Sequence, residues 1–223
     1  MSGAFDRVVT LLLVASAIAM AGVAVHRTTA EPPSAMPRGL PPAQTPLWED
    51  VQASAITMGG VPGARIQIVV LTDFECPVCR GMHGILEEIL SESPGDIQVS
   101  YAAYPLSYHR FARPAAMAAA CAEAQGGFSS WASTVFSHQD SLGLLSWESL
   151  AVDAQLFDAR GVAECATAPG TNEWIEAGLD VGVKLGVWGV PHVLMNGWEF
   201  KQPPTKQTLL DAIITVRAGR RLD

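Results

Sequence analysis

The segment "ARIQIVVLTDFECPVCRGMH", residues 64–83, constrains this chain more than any other. Ile66 to Leu71 form a β-branched apolar run too short for a helix, which reads as a buried strand. Directly after it, Val78, Met82, Ile85 and Ile89 recur at helical spacing, and Pro77 falls in the first turn, where its missing N–H costs nothing. Cys76 and Cys79 therefore straddle the start of a helix that follows a strand. A pair so spaced can be a structural clip, half of a zinc site or a working redox couple.

A thiol that exchanges disulfides must be a thiolate, and the free N–H groups and dipole of a helix N-terminus favour negative charge. Cys76 sits where that effect is largest. Cys79, one turn further in, is less exposed and is placed to resolve a mixed disulfide formed at Cys76. Zinc would need a second ligand pair at matching spacing, whereas Cys121 and Cys165 are single residues on separate helical stretches. The strand-to-helix setting favours the redox reading.

The remaining pattern supplies the frame. "DIQVSYAAYP" reads as a second strand, parallel to the first if the intervening helix makes a right-handed crossover. Residues 113 to about 186 read as helical: a helix opened by Pro114 that carries Cys121 and stops at Gly126-Gly127, then helices near 128–138, 146–157, 159–167 and 172–185, with Ser146 and Thr171 as caps. In "VPHVLMNGWEF", Asn196-Gly197 between apolar flanks predicts a two-residue hairpin. A last helix, capped by Thr205, buries Leu209, Leu210, Ile213 and Ile214 and ends near Gly219. The order is βαβ, a helical block, then ββα.

Ahead of that frame, residues 8–25 form an uncharged apolar stretch long enough to span a bilayer. They predict an uncleaved membrane anchor within residues 1–27, with a cleaved signal peptide as the alternative. Residues 28–46 are proline-rich and predict an extended tether. Residues 47–223 then form one domain, with a helical insertion at about 105–186. A hydrophobic content of 49% marks the chain as folded, and a net charge of -8 without a basic cluster argues against nucleic acid as a partner. An even count of cysteines in an exported chain suits disulfides.

"DFECPVC" after a strand, the helical insertion, and "GVPHVLMNG" leading into a hairpin together resemble the DsbA-like branch of the thioredoxin-fold thiol-disulfide oxidoreductases, especially its exported four-cysteine members. The resemblance covers about residues 60–220. It implies an α/β, thioredoxin-like fold with a helical domain inserted between the second and third strands. It implies that Cys76 and Cys79 are catalytic, that Pro191 is cis and faces them, and that Val190 offers backbone hydrogen bonds to a bound substrate strand. It also implies a structural disulfide between Cys121 and Cys165, closing a loop of about 45 residues and worth a few kcal/mol on chain entropy. No cofactor and no metal are implied. The expected partners are exported cysteine-containing proteins and a membrane redox protein, either a quinone-linked oxidase or a thiol reductase. The expected setting is the periplasm or the outside of the cell envelope. No isomerase-style dimerisation domain is evident, which predicts a monomer.

Departures from the family pattern bear on mechanism. Many relatives carry a buried carboxylate in the first strand for proton exchange with the resolving thiol; this chain has Val70. Asp73, Glu75 and His83 are the candidates to replace it, and His83 lies four residues after Cys79 on one helical face, with a suitable titration range. His109 also matches a recurrent family position without an evident role. Val78 stands where the strongly oxidising archetype has histidine, and Glu75 adds a negative neighbour, so a less oxidising pair is expected. The predicted activity is donation of the Cys76–Cys79 disulfide to exported proteins through a mixed disulfide. Two alternatives remain: a disulfide reductase or isomerase, as in cytochrome maturation, and a non-catalytic thioredoxin-fold binding protein or chaperone whose groove near Pro191 is lined by Trp188, Trp198 and Phe74.

Overall fold

The apolar run at residues 66–71 lies at the centre of the sheet. In the computed structural model, which describes residues 42–93 and 95–222, it forms β3 (Ile66–Thr72). Helix α2 (Pro77–Glu92) follows, then β4 (Ile97–Ala103), which pairs parallel to β3 with Ile66 opposite Ile97 and Val70 opposite Tyr101. After the helical block come β5 (His192–Met195), antiparallel to β3, and β6 (Trp198–Glu199). Both residues of the connecting turn have positive φ, 48° at Asn196 and 84° at Gly197, the conformation a two-residue hairpin with right-handed strand twist demands. The Asn196 side chain locks that turn to β3: its Oδ1 accepts from the Gln67 N–H at 2.7 Å and its Nδ2 donates to the Arg65 carbonyl at 2.9 Å. The closing helix, α8 (Lys206–Arg217), is capped by Thr205, whose hydroxyl accepts from the Thr208 N–H.

Three elements near the start were not legible in the sequence: β1 (Ala43–Gln44), α1 (Trp48–Ala53) and β2 (Ala55–Gly60). Strand β1 lies inside the stretch read as tether and adds to β6 as an edge, a role that needs two backbones to meet but no apolar side chain. Strand β2 pairs antiparallel with β4 and is irregular between Thr57 and Gly59; its Met-Gly-Gly end carries no strand propensity of its own. The full order is β1-β6-β5-β3-β4-β2. The predicted anchor at 8–25 lies outside the described residues. Among the described helices none is long and apolar enough to cross a membrane.

Five helices stand between β4 and β5: α3 (Ala112–Glu123), α4 (Phe128–Ser137), α5 (Trp147–Asp153), α6 (Ala159–Thr167) and α7 (Glu173–Leu185). Ser146 caps α5, accepting from Ser149 N. Asn172, rather than Thr171, caps α7, because its side-chain oxygen reaches the Trp174 N–H. Pro114 does not open α3 but sits in its first turn, two residues after the start, where a missing N–H is still harmless. Alternation along β3 and β4 divides the core between the two sheet faces. Ile66, Ile68, Val70, Val99 and Tyr101 face the larger cluster with α2, the helical block and α8, while Val69, Leu71 and Ala102 face a smaller one with Val51, Val181 and Val187.

Candidate active site

The site forms where β3 ends and α2 begins. Cys76 is the N-cap residue of α2 in extended conformation, with Pro77 directly behind it in the first turn. Its N–H donates to the Asp73 carbonyl and its own carbonyl accepts from Arg80 N, both at 3.1 Å, so the loop is held on either side of the sulfur. The antiparallel pairing that sets His192 opposite Leu71 carries residues 190 and 191 to the same end of β3. There the Val190–Pro191 peptide is cis, and the Cys76 thiol donates to the Val190 carbonyl at 3.5 Å. Pro191 is buried and Val190 half-buried.

The two thiols, described here in the reduced state, have opposite electrostatics. The Cys76 pKa is lowered to about 6, first by the hydrogen bond it receives from the Cys79 thiol. Burial pulls the other way, the N–H groups of Cys79 and Val78 lower it again, and the Asp73 charge opposes them. Cys79, with 1% of its surface exposed, is pushed well above the ordinary thiol range, first by burial and then by the hydrogen bond it gives to Cys76. One sulfur is prepared as nucleophile and leaving group; the other is held as a thiol until a disulfide forms beside it.

Asp73 and Glu75 both accept hydrogen bonds from main-chain N–H groups. The buried Asp73 carboxylate accepts from Glu75 N at 2.7 Å and, through its other oxygen, from Leu106 N and His109 Nδ1, each at 2.8 Å. Glu75 accepts from Phe111 N at 2.5 Å. Both carboxylates therefore tie the segment between β4 and α3 to the cysteine loop, with His109 as the side-chain hydrogen-bond partner of Asp73. Sequence reasoning missed Gln139, whose buried amide donates to the carbonyls of Phe74 (2.8 Å) and Cys76 (3.0 Å). Beside it, Asp140 pairs with Arg80 at 2.8 Å. Nothing in the local sequence pattern marks a short 3₁₀ turn as the brace of a loop more than sixty residues away.

His83 is buried on the Cys79 face of α2, its Nδ1 bonded to the Tyr101 hydroxyl at 2.8 Å and its ring 4.8 Å from that of Phe136. Its Nε2 lies 3.2 Å from Glu87 Oε1, close enough for an ion pair but without the alignment of a hydrogen bond. Burial lowers the His83 pKa, with Glu87 acting in the opposite sense. Tyr101 was also missed, although a tyrosine on the inward face of a predicted buried strand signals a polar partner in the core. Val70 is buried between Tyr101 and Val193. Val78 is 56% exposed beside the cysteines and Trp188 is 92% exposed two residues before Val190. Phe74 does not line a groove: it is fully buried against Phe136. Trp198 does not either, since it pairs with Met195 at the other end of β5 and stacks under Arg221. Cys121 and Cys165 are bonded to each other, joining α3 to α6 with a Cα separation of 6.5 Å. Among the described residues no cluster of three His, Cys, Asp or Glu side chains is placed to hold a metal.

Comparison with known proteins places this geometry in a family. In fold the chain is similar to a thioredoxin-like oxidoreductase from Silicibacter pomeroyi DSS-3, with a TM-score of 0.64 and 20% identity over 76% of this chain and 97% of that one. It is also similar to BdbD from Bacillus subtilis, with a TM-score of 0.67 and 18% identity over 82% of this chain and 100% of that one. A curated relative, the Na(+)/H(+) antiporter NhaA 1 of Mycolicibacterium gilvum (strain PYR-GCK), is 31% identical over 59% of this chain, and the match spans only 21% of that protein's length. A sequence profile described as Thioredoxin matches residues 54–214, most of the chain and all of the site described above, and on that match the chain belongs to the thioredoxin family.

Proposed function

We propose that this protein is a thiol-disulfide oxidoreductase working outside the cytoplasm, and that it donates the Cys76–Cys79 disulfide to exported proteins. The observation that carries the reading is the unequal pair: a thiol brought down to about 6 beside the Val190–Pro191 segment, and a buried partner pushed the other way. A substrate thiolate attacks Cys76 Sγ, the Cys76–Cys79 bond breaks, and Cys79 leaves as a thiolate that takes up a proton. A second substrate thiolate attacks the substrate sulfur of the mixed disulfide, and Cys76 leaves as its stabilised thiolate. The substrate loses two electrons and the enzyme is left as a dithiol, to be reoxidised by a membrane redox partner such as a quinone-linked oxidase. Two features support an oxidising compartment: the Cys121–Cys165 disulfide and the apolar stretch at 8–25. Capture in cells with Cys79→Ala tests the reading. It should retain exported cysteine proteins as mixed disulfides on Cys76, and an absence of Cys76-dependent adducts would reject it.

The reverse direction, reduction of disulfides with a thiol reductase as partner, is favoured by one observation. The buried Asp73 carboxylate opposes the Cys76 thiolate, and the Val78 side chain, unlike its N–H, brings no donor to stabilise it. A less stabilised thiolate makes a less oxidising disulfide. The state of the pair in intact cells decides: oxidised for donation, reduced for repair.

A further inference from the structure

The sulfur that carries the exchange chemistry belongs to the N-cap residue of α2, where it makes no capping bond. Its position is therefore set by the main chain around it. The Cys76 carbonyl closes the first turn of the helix by accepting from Arg80 N at 3.1 Å. That carbonyl and the Phe74 carbonyl, on the other side of Glu75, are also taken by one side chain. Gln139, in the 3₁₀ turn Gln139–Ser141 of the helical block, donates through its Nε2 to Phe74 O at 2.8 Å and to Cys76 O at 3.0 Å. The residue is 7% exposed, and its own Oε1 has no hydrogen-bond partner among the described residues. Leaving a buried acceptor unsatisfied is costly, and what the amide secures in return is a donor on each of two carbonyls. Only a primary amide offers two N–H donors from one nitrogen without charge, so the contact puts no charge beside the thiol. Its neighbours reinforce it. Phe136 packs against the Phe74 ring with centroids 5.2 Å apart, and Asp140 pairs with Arg80 at 2.8 Å.

We infer that Gln139 is a positioning residue of the exchange reaction, clamping the carbonyls of Phe74 and Cys76 so that Cys76 stays at the N-cap of α2 with its sulfur toward the helix N–H groups. The inference rests on the exchange activity proposed above and concerns how the fold tunes it. With donors from both Arg80 and Gln139 on its oxygen, the Cys76–Pro77 peptide plane is fixed. That plane and the restricted φ of Pro77 aim the N–H groups of Val78 and Cys79 at the sulfur, where they lower its pKa. Without the amide, Arg80 N alone holds the plane, the aim of those N–H groups degrades and the thiolate is less stabilised. The helical block thereby contributes to the reactivity of a cysteine that it does not carry.

The test uses the full chain, reduced, with thiolate absorbance reporting the Cys76 midpoint and glutathione disulfide as the probe of exchange. Gln139→Met keeps the length of the side chain and removes both donors. It should raise the midpoint from about 6 by about 0.5–1 unit, the worth of one neutral hydrogen bond. The equilibrium with glutathione at about pH 7 should move about 3- to 6-fold toward the protein disulfide, because the dithiol form loses part of its thiolate stabilisation. Leu150→Ala, a core change in α5 that leaves the amide intact, should lower the melting temperature without moving the midpoint, which separates positioning from stability. If Gln139→Met does not fold, Gln139→Asn decides in its place, since its amide is one methylene too short to span both carbonyls, and the midpoint should again rise. A midpoint within about 0.2 unit of the parent in the folded variant, or an equal shift in Leu150→Ala, overturns the clamp. A parent that forms no glutathione adduct at Cys76 would instead overturn the exchange reading itself, and the inference with it.

Discussion

The Cys76 sulfur touches the Val190 carbonyl at 3.5 Å, across 114 residues of chain, and that contact joins the helix that activates the thiol to the cis-proline segment beside it. Since the largest influence lowering the Cys76 pKa is the Cys79 hydrogen bond, the two cysteines cannot be treated as separate groups. Thiolate absorbance near 240 nm should titrate with a midpoint of about 6 in the reduced protein. The transition should vanish in Cys76→Ser and move up toward the ordinary thiol range in Cys79→Ala. A midpoint that stays near 6 in Cys79→Ala would show that the helix N–H groups alone set it.

Stability should depend on pH differently in the two redox states. The folded Cys76 loses its proton near 6 against 9.0 when unperturbed, so its contribution to the dithiol form is complete above about 9 and is lost as pH falls toward 6. Cys79, shifted upward, contributes below about 9 and loses that contribution above it. His83 and His192 are both held below 6.5 by burial, so the unfolded chain takes up protons first and stability falls again below about 6.5. Thermal melts of the reduced protein should therefore peak near pH 9 and decline from there to pH 5. The oxidised protein lacks both thiol contributions: it should be nearly flat between about 6.5 and 10, declining below that window as the histidines protonate and above it as the unfolded chain loses the proton that buried Tyr101 keeps.

Asp73 carries a cost and a benefit that one substitution separates. Asp73→Asn removes the charge that opposes the Cys76 thiolate, so the Cys76 titration should move lower. The same change leaves one of the N–H groups of Glu75 or Leu106, or His109, with a weaker partner in a buried position. The expected loss of stability is about 1–3 kcal/mol by urea unfolding. A raised Cys76 midpoint would contradict the electrostatic assignment.

Helix α7 approaches the backbone of β4 at Gly178, where an added Cβ would run into the Ala103 carbonyl. Ala103 is the last residue of β4 and still pairs with Thr72 of β3, so its carbonyl has little room to give way, and Gly178→Ala should destabilise by about 1–3 kcal/mol. A change within 0.5 kcal/mol in a denaturant midpoint would mean that α7 can shift off the sheet.

Local chemistry was enough to recognise the strand at Ile66–Thr72, the helix that Cys76 opens, the parallel crossover and the Asn196-Gly197 hairpin. Each rests on residues within a few positions of one another: a β-branched run, a proline at a helix start, a turn that requires positive φ. Short edge elements such as Ala43–Gln44 and the glycine-ended β2 escaped, because their stability comes from the strands they join and not from their own side chains. The same divide runs through the site. Proximity in the chain pairs Cys76 with Cys79 and places His83 one turn away. Only folding brings the Tyr101 hydroxyl to His83, turns Asp73 and Glu75 toward the backbone of residues 106 and 111, and sets Gln139 under the cysteine loop. Those are choices of hydrogen-bond partner among buried polar groups. They are made by whatever donor or acceptor the packing leaves within about 3 Å, which no local pattern encodes.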